Sequence, residues 1–243
     1  MTRNSDAIYL DYNASAPIPQ KLLEDIGRLC ALGSANPSST HSLGRLARKQ
    51  IQQTKDDLAQ LLHCNSESIF FTSGASESNS WIISSFAEAA SKANNRPIFI
   101  SSQVEHDSIL LALEAQQIKG AQIEFIETKP SGEIDIEHLS AILQRIAPSH
   151  GLVLVQHANN ETGVLQPIQA IADLCKQSGA HLHSDSVQSF GKVPVSIESL
   201  HGASISLSGH KLGALKGVGV LIAEPSRLTT LVHCKHQKSK RGG

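Results

Sequence analysis

Apolar positions along the chain fall into short runs separated by helical stripes. Runs suited to strands stand at 68–73, 98–102, 122–127, 151–156, 181–184, 203–207 and 218–223, and turn-forming residues punctuate the chain between elements. Elsewhere the apolar residues recur at three- and four-residue spacing. A helical pattern on Leu22, Leu23, Ile26, Leu29 and Cys30 precedes a long amphipathic helix from about Leu43 to Leu62. A later stripe carries Trp81, Ile82 and Phe86, another runs from Asp107 to Ile118, and a third holds Ile136, Leu139, Leu143 and Ile146. The segment Pro167 to Ser178 opens with proline and has Gly179 just past its end, the asymmetry expected of a helix. Alternation on this scale predicts an α/β fold, a mostly parallel seven-stranded sheet with helices on both faces. The connection from Gly209 to Gly217 is too short for a crossover helix, so the last strand is expected antiparallel. Ligands of such sheets sit beyond the carboxyl ends of the strands. The polar clusters of this chain fall there.

Composition narrows the picture only slightly. The 243 residues are 40% hydrophobic and 18% charged, with a formal net charge of −1. That is enough chain for one large domain, or one domain with a small appendage. The charge balance gives no reason to expect nucleic acid or a membrane as partner, and no apolar run approaches the roughly 20 residues that span a bilayer. The first apolar stretch, Ile8 to Leu10, is too short for a signal-peptide core. Four cysteines stand singly at 30, 64, 175 and 234 with no CxxC pair, which argues against structural zinc. Cys30 shares a face with Leu23 and Ile26, and Cys175 with Ile168, Ile171 and Ala172, so both are expected in the core. The chain reads as reduced and cytoplasmic.

Candidate chemistry begins at Ser206-Leu207-Ser208-Gly209-His210-Lys211, where a buried strand ends in polar residues and a lysine. A partly desolvated lysine is the side chain that condenses with an aldehyde. The strand His181-Leu182-His183-Ser184-Asp185 ends in a carboxylate, which needs a cationic or hydrogen-bonding partner if buried. A lysine with an acid partner for a pyridinium nitrogen is the protein's half of pyridoxal phosphate chemistry. Phe70 to Asn79 joins the first strand to a helix through Gly74, and reads either as an anion cradle or as an ordinary helix start capped by serines. His106 could lie on an aromatic cofactor or simply hydrogen-bond in a loop. The adjacent amides Asn159 and Asn160 could orient a carboxylate or shape a turn. A rival from another class is a metal-dependent hydrolase using His181, His183 and Asp185, with His157 and His210 as further ligands. It places His181 at a strand start where solvent is expected, and leaves Lys211 without a task.

The segments YLDYNASAP, NPSSTHSLGRLAR, FFTSGASESN, EHDSIL, HANNETGVLQPI, HSDSVQSFGKVPV and SLSGHKLGALKGVGVLI follow one another between residues 8 and 223. In that order they resemble the cysteine desulfurases of the nitrogen-fixation and iron–sulfur-cluster type, within the class V aminotransferase group of fold-type-I pyridoxal-phosphate enzymes. The resemblance implies that Lys211 holds pyridoxal 5'-phosphate covalently and moves protons, and that Asp185 pairs with the ring nitrogen. Gln188 would bond the ring's phenolic oxygen and His106 would stack on the ring. Ala75, Ser76, Ser208 and His210 would hold the phosphate, and Asn160 would lie near the substrate carboxylate. It implies L-cysteine as substrate, alanine and a persulfide as products, a sulfur-acceptor or scaffold protein as partner, and a homodimer. Residues 1–15 would be an arm belonging to a small domain, and 16–243 the cofactor-binding large domain with an atypical basic tail. Leu215 stands where the family usually has proline, and the segment Val232 to Gly243 departs from the family's glycine-rich pattern. The chain is therefore expected to be truncated, without most of the small domain, the arginine that clamps the substrate carboxylate, or the loop bearing the sulfur-accepting cysteine. Cys234 matches no family nucleophile. Other class V lyases, a selenocysteine lyase, or an inactive remnant share the same cofactor residues and stay open as alternatives.

Overall fold

In the computed structural model, residues 8–31, 35–146 and 151–232 are described. Cys234 and nearly all of the tail lie outside them. Seven strands form one sheet: β1 (Ile69–Thr72), β2 (Ile98–Ser102), β3 (Gln122–Ile126), β4 (Gly151–Leu154), β5 (His181–Asp185), β6 (Ser204–Ser208) and β7 (Gly219–Ile222). Their order is β1-β7-β6-β5-β4-β2-β3. Pairs from β6 through β3 are parallel, while β7 runs antiparallel to both β1 and β6. The short link after β6 makes only a single 3-10 turn, Gly209–Lys211, before the chain reverses.

The described residues form six helices: α1 (Gln20–Ala31), α2 (Ser42–Leu62), α3 (Ala75–Lys92), α4 (Asp107–Ile118), α5 (Ile136–Arg145) and α6 (Ile168–Ser178). On one face α3 and α4 bury Trp81, Ile82, Ile109 and Leu113 against Phe70, Phe99, Leu152, Leu154 and Leu221. On the other, α5 and α6 cover Ile100, Val153 and Leu182, while the end of α2 packs Leu62 on Ile69, Ile205 and Ile222. Trp81, 1% exposed, meets Phe70 edge-on and donates its indole N–H to the Thr229 carbonyl at 2.9 Å. Burying a ring of this size while satisfying its donor ties α3 to the segment after β7. Helix α6 ends as its pattern predicts, with Gly179 in the left-handed region at φ 76°. Pro167 sits at the N-cap, one position earlier than expected.

The one contradicted core expectation concerns α1. Cys175 is buried, but Cys30 is exposed, as are Leu23 and Leu29. The apolar stripe of α1 is only partly covered, with Leu22 and Ile26 half-buried while Leu23, Leu29 and Cys30 stay exposed. The periodicity of a helix declares a face that needs burial and does not supply the partner.

One backbone contact decides how the sheet meets α3. A Cβ built on Gly219 would lie 2.4 Å from the Cα of Gly74, so the start of β7 abuts the N-cap of α3 directly. Only a residue without a side chain permits that approach. Gly219→Ala is expected to destabilise the fold by about 1–3 kcal/mol through overpacking, and so to lower the melting temperature by several degrees. An unchanged thermal transition would show that the contact is looser than described.

Candidate functional site

Strands β5 and β6 lie side by side, with Asp185 at the end of β5 in register with Ser206, two residues before β6 ends at Ser208. The N-termini of α3 and α4 follow β1 and β2 to the same edge. There a cavity of about 680 Å³ opens. All nine residues singled out from the sequence line it: Ala75 and Ser76 at the start of α3, His106 at the N-cap of α4, Asn160, Asp185, Gln188, Ser208, His210 and Lys211. Their convergence follows from the parallel strands, which bring every carboxyl end to one side.

Asp185 is 7% exposed. Its Oδ2 accepts from Nδ2 of Asn79 at 2.9 Å, and its Oδ1 from the N–H of Val187 at 3.0 Å. Burial raises its pKa, and these two donors oppose that shift, with smaller help from His106 and Lys211. The carboxylate is thus aimed, hydrogen-bonded and short of a full cationic partner. Lys211 is half-buried, and its amine donates to the main-chain carbonyl of Asn13. Desolvation lowers its pKa first, the charge of Lys192 lowers it further, and Asp11, Asp185 and Glu161 pull the other way. A lysine shifted down holds more of its amine in the nucleophilic form. Gln188 donates to the same Asn13 carbonyl at 3.1 Å and accepts from Nζ of Lys192 at 2.9 Å. The arm is held there because Ala16 donates to the His210 carbonyl at 2.8 Å.

The opposite end of the cavity suits an anion. Ser73 is not the cap of α3: its N–H and hydroxyl both donate to Oε2 of Glu77, at 2.8 and 2.6 Å, while Gly74 at the N-cap makes no side-chain cap. The first turn of the helix therefore opens on the cavity rather than on a capping serine, beside Ser208, His210 and Lys216. The two adjacent amides divide their work. Asn159 holds the turn, its Oδ1 accepting from the N–H groups of Glu161 and Thr162, while Asn160 faces the cavity.

The aminotransferase class-V family profile matches residues 8–240. The chain belongs to the class-V aminotransferase family. It is 34% identical over 230 residues to a protein named cysteine desulfurase IscS from Rickettsia bellii, covering 93% of this chain and 55% of that relative. Among solved structures it superposes on a NifS-like protein from Rickettsia africae with a TM-score of 0.84 and 36% identity, covering 97% of this chain and 64% of that one. A structure described as SspA in complex with cysteine gives a TM-score of 0.89 at 31% identity, covering 98% and 68%. The chain spans about half the length of the curated relatives it matches.

Several residues of this class-V chain enter the site without having been singled out. Tyr9 lines the cavity, with its hydroxyl between the carbonyls of Asp11 and Ser15. Asn79, one turn into α3, carries the direct contact to Asp185. Its only signal in the sequence was position, three residues after Ser76 on a helix facing the strand ends. His181 corrects an expectation, since it is buried rather than open to solvent. Its Nε2 and the Nδ1 of His183 both meet the hydroxyl of Ser204, at 3.1 and 2.9 Å. Burial lowers both histidines to about 3, so both are neutral. Among the described residues no three His, Cys, Asp or Glu converge on a possible metal position.

Glu105, 5% exposed, lies directly before His106 and accepts from the Ser102 hydroxyl at 2.9 Å and the Gln156 N–H at 2.7 Å. Burial pushes its carboxyl up to about 8. The Ser102 bond opposes this and the Asp185 charge adds to it. Between the ordinary value of 4.5 and about 8 the folded chain holds this proton and the unfolded chain does not. Its contribution to stability is therefore present below the lower value and is lost as pH rises to the upper one. Glu105→Gln removes that dependence. In thermal unfolding at about pH 5 and about pH 8, the parent is expected to fall behind the variant by several degrees at the higher pH. A gap that does not change with pH would mean that Glu105 is ionised in the folded chain.

Proposed function

We propose that the cavity binds pyridoxal 5'-phosphate, and that the chain carries the cofactor-binding domain of an enzyme that removes sulfur from L-cysteine. The products would be alanine and a persulfide on a thiol acceptor. The observation that carries this reading is the pairing of a buried, aimed carboxylate, Asp185, with a half-buried lysine, Lys211, beside the open first turn of α3. These residues fit the group. Among the described residues the buried Asp185 carboxylate, its pKa raised by burial, has no ion-paired cation, and a protonated ring nitrogen would supply one. The close Gly74–Gly219 approach brings the first turn of α3 to the sheet edge, where a phosphate would lie. When bound, the cofactor supplies an electron sink for the bonds at the substrate's α-carbon.

The residues' tasks follow from their chemistry. Lys211 would hold the cofactor covalently and carry a proton to and from the substrate. Asp185 would keep the ring nitrogen protonated. Gln188, whose amide oxygen is held by Lys192, would turn its N–H toward the ring oxygen. His106 would cover the ring and exclude water. Ala75, Ser76, Ser208 and His210 would hold the phosphate, and Asn160 would orient the substrate carboxylate. Residues 1–15 would belong with a small domain, and 16–243 with the large one. A second copy of the chain fits the exposed apolar side chains of α1 and early α2, Leu23, Leu29, Leu43 and Leu46, and a sulfur-accepting or scaffold protein would take the product. Among the described residues no helix is long and apolar enough to cross a membrane.

The described cysteines bear on a second reading. Burial pushes the Cys175 thiol up to about 12 and raises that of Cys64, and none of Cys30, Cys64 and Cys175 lines the cavity. A class-V lyase that releases its product without any of these three cysteines as acceptor, a selenocysteine lyase among them, is a second reading compatible with their placement. Borohydride reduction with pyridoxal phosphate, followed by peptide mapping, is expected to label Lys211, and label on Lys216 or on no lysine would overturn the reading. The chain on its own is expected to make no more alanine from L-cysteine than free pyridoxal phosphate does. Turnover that disappears when all four cysteines become serine would identify one of them as the acceptor.

A further inference from the structure

Behind the cavity, and reaching its wall at Asp185, a buried polar strip crosses the sheet. The side chains of His181, His183 and Asp185 on β5 and of Ser204 on β6 share one hydrogen-bonded network beneath α3. Asn79 of α3 stands at its centre, fully buried and bonded in three directions. Its Nδ2 donates to Oδ2 of Asp185 and to Oγ of Ser108, each at 2.9 Å, and its Oδ1 lies 3.0 Å from Nε2 of His183.

With Asp185 ionised, these contacts leave one assignment of protons. A carboxylate only accepts, so the amide must turn its NH₂ toward Asp185 and its oxygen toward His183. That oxygen can only accept, so His183 carries its proton on Nε2 and offers a lone pair at Nδ1. The Ser204 hydroxyl donates to that lone pair and in turn accepts from Nε2 of His181. On the other branch, Ser108 Oγ accepts from Asn79, so its own proton goes to Nδ1 of His106 at 2.9 Å. The Ser108 N–H donates to the same ring nitrogen at 3.0 Å, which agrees. His106 therefore keeps its ring proton on Nε2. A single amide thus reaches both side chains that would bound the cofactor ring. A void-filling role would need none of these bonds, and leaving any one of the buried groups unpaired costs about 1–3 kcal/mol.

We infer that Asn79 is a positioning residue which, oriented by His183, holds Asp185 ionised and aimed while fixing the His106 tautomer through Ser108. The link to a cofactor rests on the function proposed above, whereas the effect on Asp185 does not. Both can be read separately. In the cofactor-free full chain, the ¹³C shift of the Asp185 carboxyl, assigned by its loss in Asp185→Asn, gives its titration midpoint. Asn79→Leu, of similar volume, is expected to raise that midpoint by about one pH unit or more, because a donor to the charged form is removed. His106, Lys211 and Glu105 also act on Asp185 from the neighbouring elements, and His183 on the same strand shares Asn79 with it; all are retained in the variant. The difference therefore isolates Asn79.

With pyridoxal phosphate added, the dissociation constant of the variant is expected to exceed the parent's roughly tenfold at neutral pH. That gap should widen as pH falls, since Asp185 then loses its charge earlier in the variant. A midpoint equal to the parent's would overturn the inference. A raised midpoint in a chain whose parent binds no pyridoxal phosphate would uphold the role of Asn79 and sink the proposed function. Should Asn79→Leu fail to fold, Asn79→Ser, whose hydroxyl is too short to reach Asp185 from α3, is expected to give the same rise. An unchanged midpoint there would equally overturn the inference.

Discussion

A carboxylate buried at the end of a central strand sets the terms for what surrounds it. Charge removed from water is tolerated only where donors or cations answer it. At Asp185 the described residues supply two donors, Asn79 and the Val187 N–H, but no ion-paired cation. Supplying the first obliges α3 to place a buried amide, and that amide requires His183, which requires Ser204. The centre of this sheet face is polar for that reason. Its flanks carry the apolar load, with Phe99, Leu152 and Leu154 on one side and Phe70, Trp81 and Leu221 on the other.

The reversed strand matters as much as the parallel ones. Because β7 turns back after one 3-10 turn, Lys211 stays at the cavity instead of entering a crossover helix. The same reversal presses Gly219 on Gly74 and so brings the start of α3 to the sheet edge. Lys211 meanwhile bonds a main-chain carbonyl, that of Asn13. A hydrogen bond of this kind contributes only about 1–3 kcal/mol net, so a ligand that takes the amine displaces little.

Much of this was legible along the chain. The seven apolar runs, the helix ends at Leu62, Ile118 and Ser178, and the antiparallel last strand all follow from local periodicity, turn residues and connection length. The nine cavity residues were named through the family resemblance, and the parallel strands, which present their carboxyl ends together, account for their convergence on one cavity.

What the sequence alone could not decide is which faces find partners. Cys30 and Leu29 carry the pattern of a core helix yet stay exposed, and His181 opens a strand yet is buried. Asn79 reads as one more polar residue near a helix start until α3 is laid across β5. Periodicity is a property of a single segment, whereas burial and hydrogen-bond partnership belong to pairs of segments far apart in the chain. Asn79 and Asp185 are separated by 106 residues. The local chemistry therefore determined the elements and the ends at which a site could form. Only the packing of α3 on the central strands decided that one amide would join Asp185, His183 and, through Ser108, His106, because three directed bonds can be met only where all the partners are brought within 3 Å.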